Sequence, residues 1–552
     1  MKKAYINGNI ITVNESNDRV RSFAVQGNKI IKTGTDEEVL SYVGADCEII
    51  DLQGKTILPG FNDSHLHLLN YAYSLTKIDC NELCSIEEII DTSKSFAAKN
   101  NIPPGEWIQG RGWNEVYLKE NRSLSRDDLD KISTEHPIIF TRVCEHIVTV
   151  NSKALEIAGI NEKTPNPWGG EIERDSKGRL TGVLKETARY LPYKIIPKKS
   201  IEEIKKMLID AIEVVSSYGI TSVQTDDFET FSDKNWREII KAYEEIMQEG
   251  KLNVRVYEQC LLPDINRLKD FIDQGNYSGK GNEYFKIGPL KLLTDGSLGG
   301  RTAYLTIPYS DAPDTRGISV FTQSELDELI ITAHTNNMRI VCHAIGDEAM
   351  RMVLESYEKA QKAKKDSDAR MGIIHVQITD EEIAEKFKNQ NILAYIEPIC
   401  INSDMHIAEE RIGEKLLKTS YNYRTFCDMG IVTPMSSDCP VDSLNPIDSI
   451  YVGVNRKDFN GYPSGGWMPE QRLTVEQMIR GFTIQSAYAS FEENSKGSIE
   501  EGKLADFIIL SEDITAVNPD RLRAVYVEET YLGGRCVYKK KKYDTSEFCV
   551  VL

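Results

Sequence analysis

Residues 56–67 read Thr56-Ile57-Leu58-Pro59-Gly60-Phe61-Asn62-Asp63-Ser64-His65-Leu66-His67. An apolar stretch, predicted as a buried strand over Ile57–Phe61, runs into two imidazoles two positions apart. Side chains at i and i+2 of extended backbone point the same way, so His65 and His67 can share one metal ion. The chain has only eight histidines in 552 residues, which makes a casual pair improbable.

Further along, strand-like apolar segments recur at Thr221–Thr225, Asn253–Glu258, Lys286–Leu293, Arg339–His343, Gly372–Val376, Ile392–Ile396 and Ile431–Met435. Helical stretches such as Ser324–Asn336, Glu348–Lys362 and Asp380–Gln390 lie between them. Eight strands alternating with helices predict an α/β fold, a (β/α)8 TIM-type barrel. One gap is too long. Between Phe61 and Thr221 there are roughly 130 residues more than a βα unit needs.

That excess, residues 75–197, is expected as an inserted unit after strand one, covering the C-terminal face where active sites of this fold lie. The two chain ends are strand-rich, and neither has enough strands to bury a sheet face alone. Together, residues 1–56 and 485–552 are predicted to form one small discontinuous β-sandwich, leaving 57–484 for the barrel and its insertion. Asn7-Gly8 reads as the turn of a hairpin between Ala4 and Val13.

Four more chemistry-bearing residues fall at predicted strand ends: Lys291, His343, His375 and Asp438. Sequence-remote strand ends converge on one mouth of a barrel, so these four can meet His65 and His67. Imidazole and carboxylate are ordinary zinc ligands. A protonated lysine is not, but its amine can add carbon dioxide to give a carbamate able to bridge two ions. On this reading His65, His67 and Asp438 complete one ion, and His343 and His375 the other. A metal-bound water would supply hydroxide near neutral pH. Asp438 is the candidate catalytic residue, taking a proton from that water and passing it to a leaving nitrogen.

The runs LPGFNDSHLH (58–67), GRGWNE (110–115), RVCEHIVTVNSKAL (142–155), GVLKE (182–186), KLLTDGSLGGRTA (291–303), HAIGDEA (343–349), SSDCPVDSLNP (436–446) and GSIEEGKLADFIIL (497–510) resemble the amidohydrolase superfamily. The resemblance is to the family 3 branch, which includes enzymes like N-substituted formamide deformylase. It implies the ligand roles just given, a carboxylated Lys291, and a substrate contact from His146 in the insertion. Glu397 stands where relatives usually carry Gln, and Asp226-Asp227 is more acidic than usual. Both departures point either to a basic group on the substrate or to altered partners behind the metal ligands, and Glu397 joins the candidate substrate contacts.

Each residue also has a plainer reading. Lys291 could be a surface lysine or pair with Asp295, and Glu186 is a rival bridge. His343 and His375 could be core histidines, Asp438 a helix cap, and His146 a buried hydrogen-bonded histidine. Arg301 either clamps an anionic substrate group or braces a loop. Trp113 is a candidate substrate wall, although aromatics in such runs pack in cores more often.

A net charge of -19 argues against nucleic acid and anionic membrane as partners. The ligand set suits a divalent metal, zinc first, with one or two ions per chain. No stretch is long enough to span a bilayer, and the N-terminus lacks a signal-peptide h-region. Eleven cysteines without CxxC spacing point to reduced thiols in a cytoplasm. The final Cys549-Val550-Val551-Leu552 fits a prenylation box, read as a coincidence. The expected function is therefore metal-dependent hydrolysis of a non-peptide carbon–nitrogen bond, amide or formamide, in a small-molecule substrate, and the family resemblance implies a homodimer as the default assembly. A mononuclear ring deaminase and a non-catalytic metal-binding or regulatory protein are the alternatives.

Overall fold

The structure is a computed structural model that describes residues 2–142, 146–231 and 233–541. Cys549–Leu552 lie outside the described residues. The chain packs as two units, Met1–Tyr71 with Ile204–Leu552, and Ala72–Glu203.

The centre of the first unit is a sheet of seven parallel strands in sequence order. They are Phe61–Leu66, Ile220–Thr225, Arg255–Leu261, Phe285–Leu293, Ile340–Ala344, Gly372–His375 and Leu393–Ile396, here barrel strands one to seven. Buried on both faces, they read as near-continuous apolar runs. The eighth position is held by extended residues 431–438, which form only an isolated parallel bridge, Ile396 to Met435. Ala394 N donates to Val432 O, and Ile396 N to Pro434 O, each at 3.0 Å. On the other side Ser64 N donates to Met435 O and Asp438 N to His65 O, again at 3.0 Å. This closes a TIM-type barrel. Regular pairing fails in the expected strand Ile431–Met435 because Pro434 has no N–H and Thr433 N turns aside to Gln485 Oε1 at 2.8 Å.

The barrel helices fall within a residue of expectation, at Gln323–Thr335, Asp347–Ala363 and Glu381–Gln390. Thr322 and Glu325 form a capping box, and Asp380 caps the last of the three through Ile383 N. Each helix turns an apolar stripe inward, such as Leu326, Leu329, Ile330 and Ala333.

Two flanking sheets complete the unit. One has four strands in the order Lys29–Gly34, Ser22–Gln26, Lys2–Ile6, Cys47–Asp51. The other has six, Arg535–Lys539, Val527–Leu532, Phe507–Leu510, Thr56–Pro59, Asn9–Ile11 and Arg19–Val20, so it interleaves both chain ends. Tyr5, Phe23, Ile57, Phe507 and Ile509 pack in one core, with the Tyr5 and Phe23 rings stacked at 4.7 Å. Arg255 of barrel strand three meets Asp506, beside the strand Phe507–Leu510, in a buried bidentate pair of 2.6 and 2.9 Å.

Two expectations need correction. The Asn7-Gly8 turn does not join a hairpin. Lys2–Ile6 and Asn9–Ile11 belong to different sheets, and the turn, with Asn7 at φ 55°, is the corner between them. The predicted strand Ile57–Phe61 is two strands. Thr56–Pro59 pairs antiparallel with Phe507–Leu510 in the flanking sheet, and barrel strand one begins at Phe61. Gly60 makes the switch. A Cβ there would lie 2.2 Å from Thr221 Oγ1, so no larger residue fits.

The second unit is built on a six-stranded sheet, in the order Gly170–Arg174, Leu180–Glu186, Ile147–Val150, Ile138–Arg142, Ile108–Trp113, Ile78–Asp79. No helix among the described residues is long and apolar enough to cross a membrane.

Candidate metal centre

Strand one ends with His65 buried and His67 just past its last residue, the ring centroids 5.1 Å apart. The hydrogen bond from Asp438 N to His65 O fixes the end of the eighth segment against strand one. It places Asp438 Oδ1 3.0 Å from His67 Nε2 and 3.3 Å from His65 Nε2. Asp438 takes this position with φ 54°, a left-handed value that non-glycine residues adopt rarely. Strand six ends in the same way, with His375 at φ 81° and the β-branched Val376 at φ 50°. Two strained strand ends at one mouth mark a place where the surrounding structure imposes the conformation.

Lys291 of strand four is wholly buried, 3.1 Å from His65 Nε2 and 3.8 Å from Asp226. It does not pair with Asp295. The His343 and His375 ring centroids are 4.5 Å apart, and His375 lies 5.9 Å from His65. The structure therefore gathers His65, His67, Lys291, His343, His375 and Asp438 at one end of the barrel. Two groups at this end have ligand atoms within 4.8 Å of one another: His65, His67 and Asp438, and, with Glu397 added, His375, Glu397 and Asp438.

Each histidine has one ring nitrogen already engaged. His65 Nδ1–H donates to Gln259 Oε1 at 2.8 Å, because the Gln259 amide nitrogen itself donates to Ser64 O. His67 Nδ1 faces Asp226, and His375 Nδ1 faces Glu397 Oε2 at 2.7 Å. His343 Nε2 donates to Gly296 O at 3.2 Å. The second ring nitrogens are Nε2 of His65, His67 and His375, and Nδ1 of His343, and those of His65 and His67 face Asp438 Oδ1. Outer partners of this kind fix tautomer and ring orientation in metal sites.

The electrostatics match. Burial, followed by the charge of Lys291, lowers His65 to about 4, and burial with His343 holds His375 well below its usual range. Both are neutral imidazoles, as a ligand must be. Burial also lowers the Lys291 amine, with Asp226 opposing. Burial disfavours the Asp438 carboxylate, yet hydrogen bonds from His65 and His67 outweigh it and hold its pKa well below normal. Glu397 Oε1 and Asp63 Oδ2 are buried without a hydrogen-bond partner. Burial disfavours the His67 imidazolium, yet Asp226 and Asp438 outweigh it and hold its pKa well above normal, so His67 must release a proton to bind metal. Two neutral imidazoles, an ionised carboxylate and unpaired oxygens still form a donor set that fits a divalent cation.

The other sequence candidates fare differently. Trp113 is fully buried in the core of the second unit with its indole N–H towards Phe140 O, so it has no face for a substrate. Arg301 is gripped by both oxygens of Asp311, which also binds Arg411. That is the loop-bracing alternative. Glu397 and Asp226 are taken up by His375 and His67 rather than offered to a basic substrate. His146 is exposed and hydrogen-bonded to Glu186 at 3.0 Å, so it is not a buried histidine, and Glu186 is occupied within the inserted unit. Gln259 and the bond between Asp295 and the chain around His343 escape a reading by residue type, because a glutamine on a strand carries no signal of its own.

A family model described as the amidohydrolase family matches residues 48–538. The chain belongs to the amidohydrolase family. As a member it is a hydrolase acting on carbon–nitrogen bonds other than peptide bonds. It is 32% identical to the putative amidohydrolase YtcJ of Bacillus subtilis (strain 168), over 98% of this chain and 100% of that one. It is 26% identical to N-substituted formamide deformylase of Arthrobacter pascens, over 97% and 98% of the two chains. Among solved structures, a metal-dependent hydrolase from Pyrococcus furiosus superposes with a TM-score of 0.76 at 28% identity, covering 94% of this chain and 100% of that one.

Proposed function

We propose that this amidohydrolase hydrolyses an amide or formamide bond of a small molecule at a divalent metal site, with zinc the preferred ion. The observation that carries the reading is the set of four histidines, each with one ring nitrogen engaged, gathered with Asp438 and Lys291. His65, His67 and Asp438 would hold one ion, and His343 and His375 the other, with Lys291 between them as a carbamate. Bound there, a divalent ion would polarise the substrate carbonyl and lower the pKa of water. Likeness to N-substituted formamide deformylase supports the formamide end of the substrate range.

The chain's own residues account for the proton. Asp438 is ionised at neutral pH and lies against both strand-one histidines. It would accept a proton from the attacking water as the oxygen–carbon bond forms, then deliver it to nitrogen as the carbon–nitrogen bond breaks. Lys291 adds carbon dioxide only as the neutral amine, and its complete burial favours that form. His146 would contact substrate. Its partner Glu186 has φ 50° and ψ -124°, a backbone region left almost entirely to glycine, and such strain tends to accompany function. The free thiols Cys80, Cys260, Cys342 and Cys400 support a reducing, cytoplasmic setting.

Metal analysis combined with a hydrolysis screen tests the reading. Zinc-loaded protein is expected to cleave at least one N-substituted amide or formamide, and to lose that activity on chelation. A zinc-replete chain inert to amides, formamides and lactams would contradict it. A single ion beside an unmodified Lys291 would favour the one-metal deaminase instead.

A further inference from the structure

Asp295 lies two residues beyond barrel strand four, and its side chain is wholly buried. It accepts three backbone hydrogen bonds. Tyr304 N and Gly346 N donate to Oδ2 at 2.9 and 2.8 Å, and Ile345 N donates to Oδ1 at 3.1 Å. The three donors belong to two different loops. Tyr304 is on the 29-residue connection 294–322, while Ile345 and Gly346 follow strand five. Gly346 is the N-cap of helix Asp347–Ala363, so the carboxylate also faces the positive end of a helix dipole. The approach is tight. A Cβ on Gly346 would meet Tyr304 O at 2.1 Å.

Three such bonds would suffice for a staple between loops. The fourth contact is different in kind. Asp295 Oδ1 is 3.2 Å from His343 Nε2, which also lies 3.2 Å from Gly296 O. Both neighbours only accept hydrogen bonds, so the proton of a neutral His343 must sit on Nε2. Nδ1 is then the only lone pair on the ring. His343 is fixed at its backbone as well, because its carbonyl accepts from Thr294 N at 3.1 Å and Thr294 Oγ1 at 2.5 Å.

We propose that Asp295 is a positioning residue that fixes the tautomer and orientation of His343, so that a metal ion is bound through His343 Nδ1. The proposal rests on the reading of His343 as a metal ligand. It also explains why a carboxylate stands where neutral acceptors could join the loops: a hydrogen bond to a charged acceptor is roughly twice as strong as a neutral one. Asp347 provides the matched control. It holds the same connection by accepting from Thr306 N at 3.0 Å and from Thr306 Oγ1, and so acts on the loop rather than on His343.

The test uses full-length protein stripped of metal and titrated with zinc, and with cobalt(II) for its visible spectrum. Asp295→Asn is expected to weaken uptake of one ion by ~10–100-fold and to alter the cobalt spectrum. Asp347→Asn is expected to keep the wild-type titration and spectrum. Equal behaviour of the two variants, whether both normal or both weakened, overturns the positioning role and leaves the metal site standing. A wild-type chain that takes up no metal overturns both. Should Asp295→Asn fail to fold, the zinc-loaded wild-type crystal decides: zinc on His343 Nδ1 supports the proposal, and zinc on Nε2 overturns it.

Discussion

Lys291 is the residue whose chemistry departs furthest from its type. A buried ammonium is costly, and burial outweighs the opposing charges of Asp226, 3.8 Å away, and Asp438. Carbamate formation removes that positive charge and presents two oxygens beside His65. Lys291→Ala is therefore expected to lower kcat below detection, and added short-chain carboxylate to restore part of it by occupying the vacated space. Unchanged activity of the variant would refute the bridging role. The six residues that the structure gathers are those whose types stand out at strand ends in the sequence. Their outer partners were less legible. Gln259 reaches His65 from strand three, and Glu397 reaches His375 from just beyond strand seven. Those meetings depend on the stagger between strands, which spacing along one chain does not give. Trp113 shows the reverse error, because an aromatic in a glycine-rich run looks available until its burial is known.

At the scale of elements, the parallel strands were readable because burial on both faces demands uninterrupted apolar runs. The exceptions have local causes. Gly60 divides one apparent strand between two sheets, and Pro434 removes a donor from the last. Asn7-Gly8 has the composition of a hairpin turn, yet its flanking segments pair with different partners, and turn chemistry alone cannot specify that. The barrel is also held near the starts of strands two and four. Glu492 accepts from Lys286 at 2.5 Å and pairs with Lys496 at 2.6 Å, and Lys496 donates to Ser222 at 2.9 Å. Burial alone would raise the Glu492 carboxyl, but Lys496 and Lys286 outweigh it and hold it down to about 2. A depressed carboxyl stabilises the fold above its ordinary value of 4.5, and the contribution disappears as pH falls towards 2. Its size is on the order of 3 kcal/mol. Glu492→Gln should therefore lower the Tm at neutral pH, by a margin that narrows between pH 4.5 and 2. A difference in Tm that does not change with pH would show that ionisation of Glu492 is not what stabilises the chain.

For the whole molecule, connectivity explains the architecture. A barrel needs its first and last strands adjacent, and the flanking sheet adds Phe507–Leu510 to Thr56–Pro59, so both chain ends meet at one side. The second unit begins at Ala72, soon after the strand end that sets His65 and His67. The convergence of six remote residues follows from that closure, and the claim that they hold metal is the centre of the account. Diffraction at the zinc absorption edge from zinc-loaded crystals tests it most directly. The account predicts two anomalous peaks, one among His65, His67 and Asp438 and one at His343 and His375, with density for a carboxylate beyond the Lys291 amine between them. A bare Lys291 amine, or the absence of any peak among these residues, would contradict it.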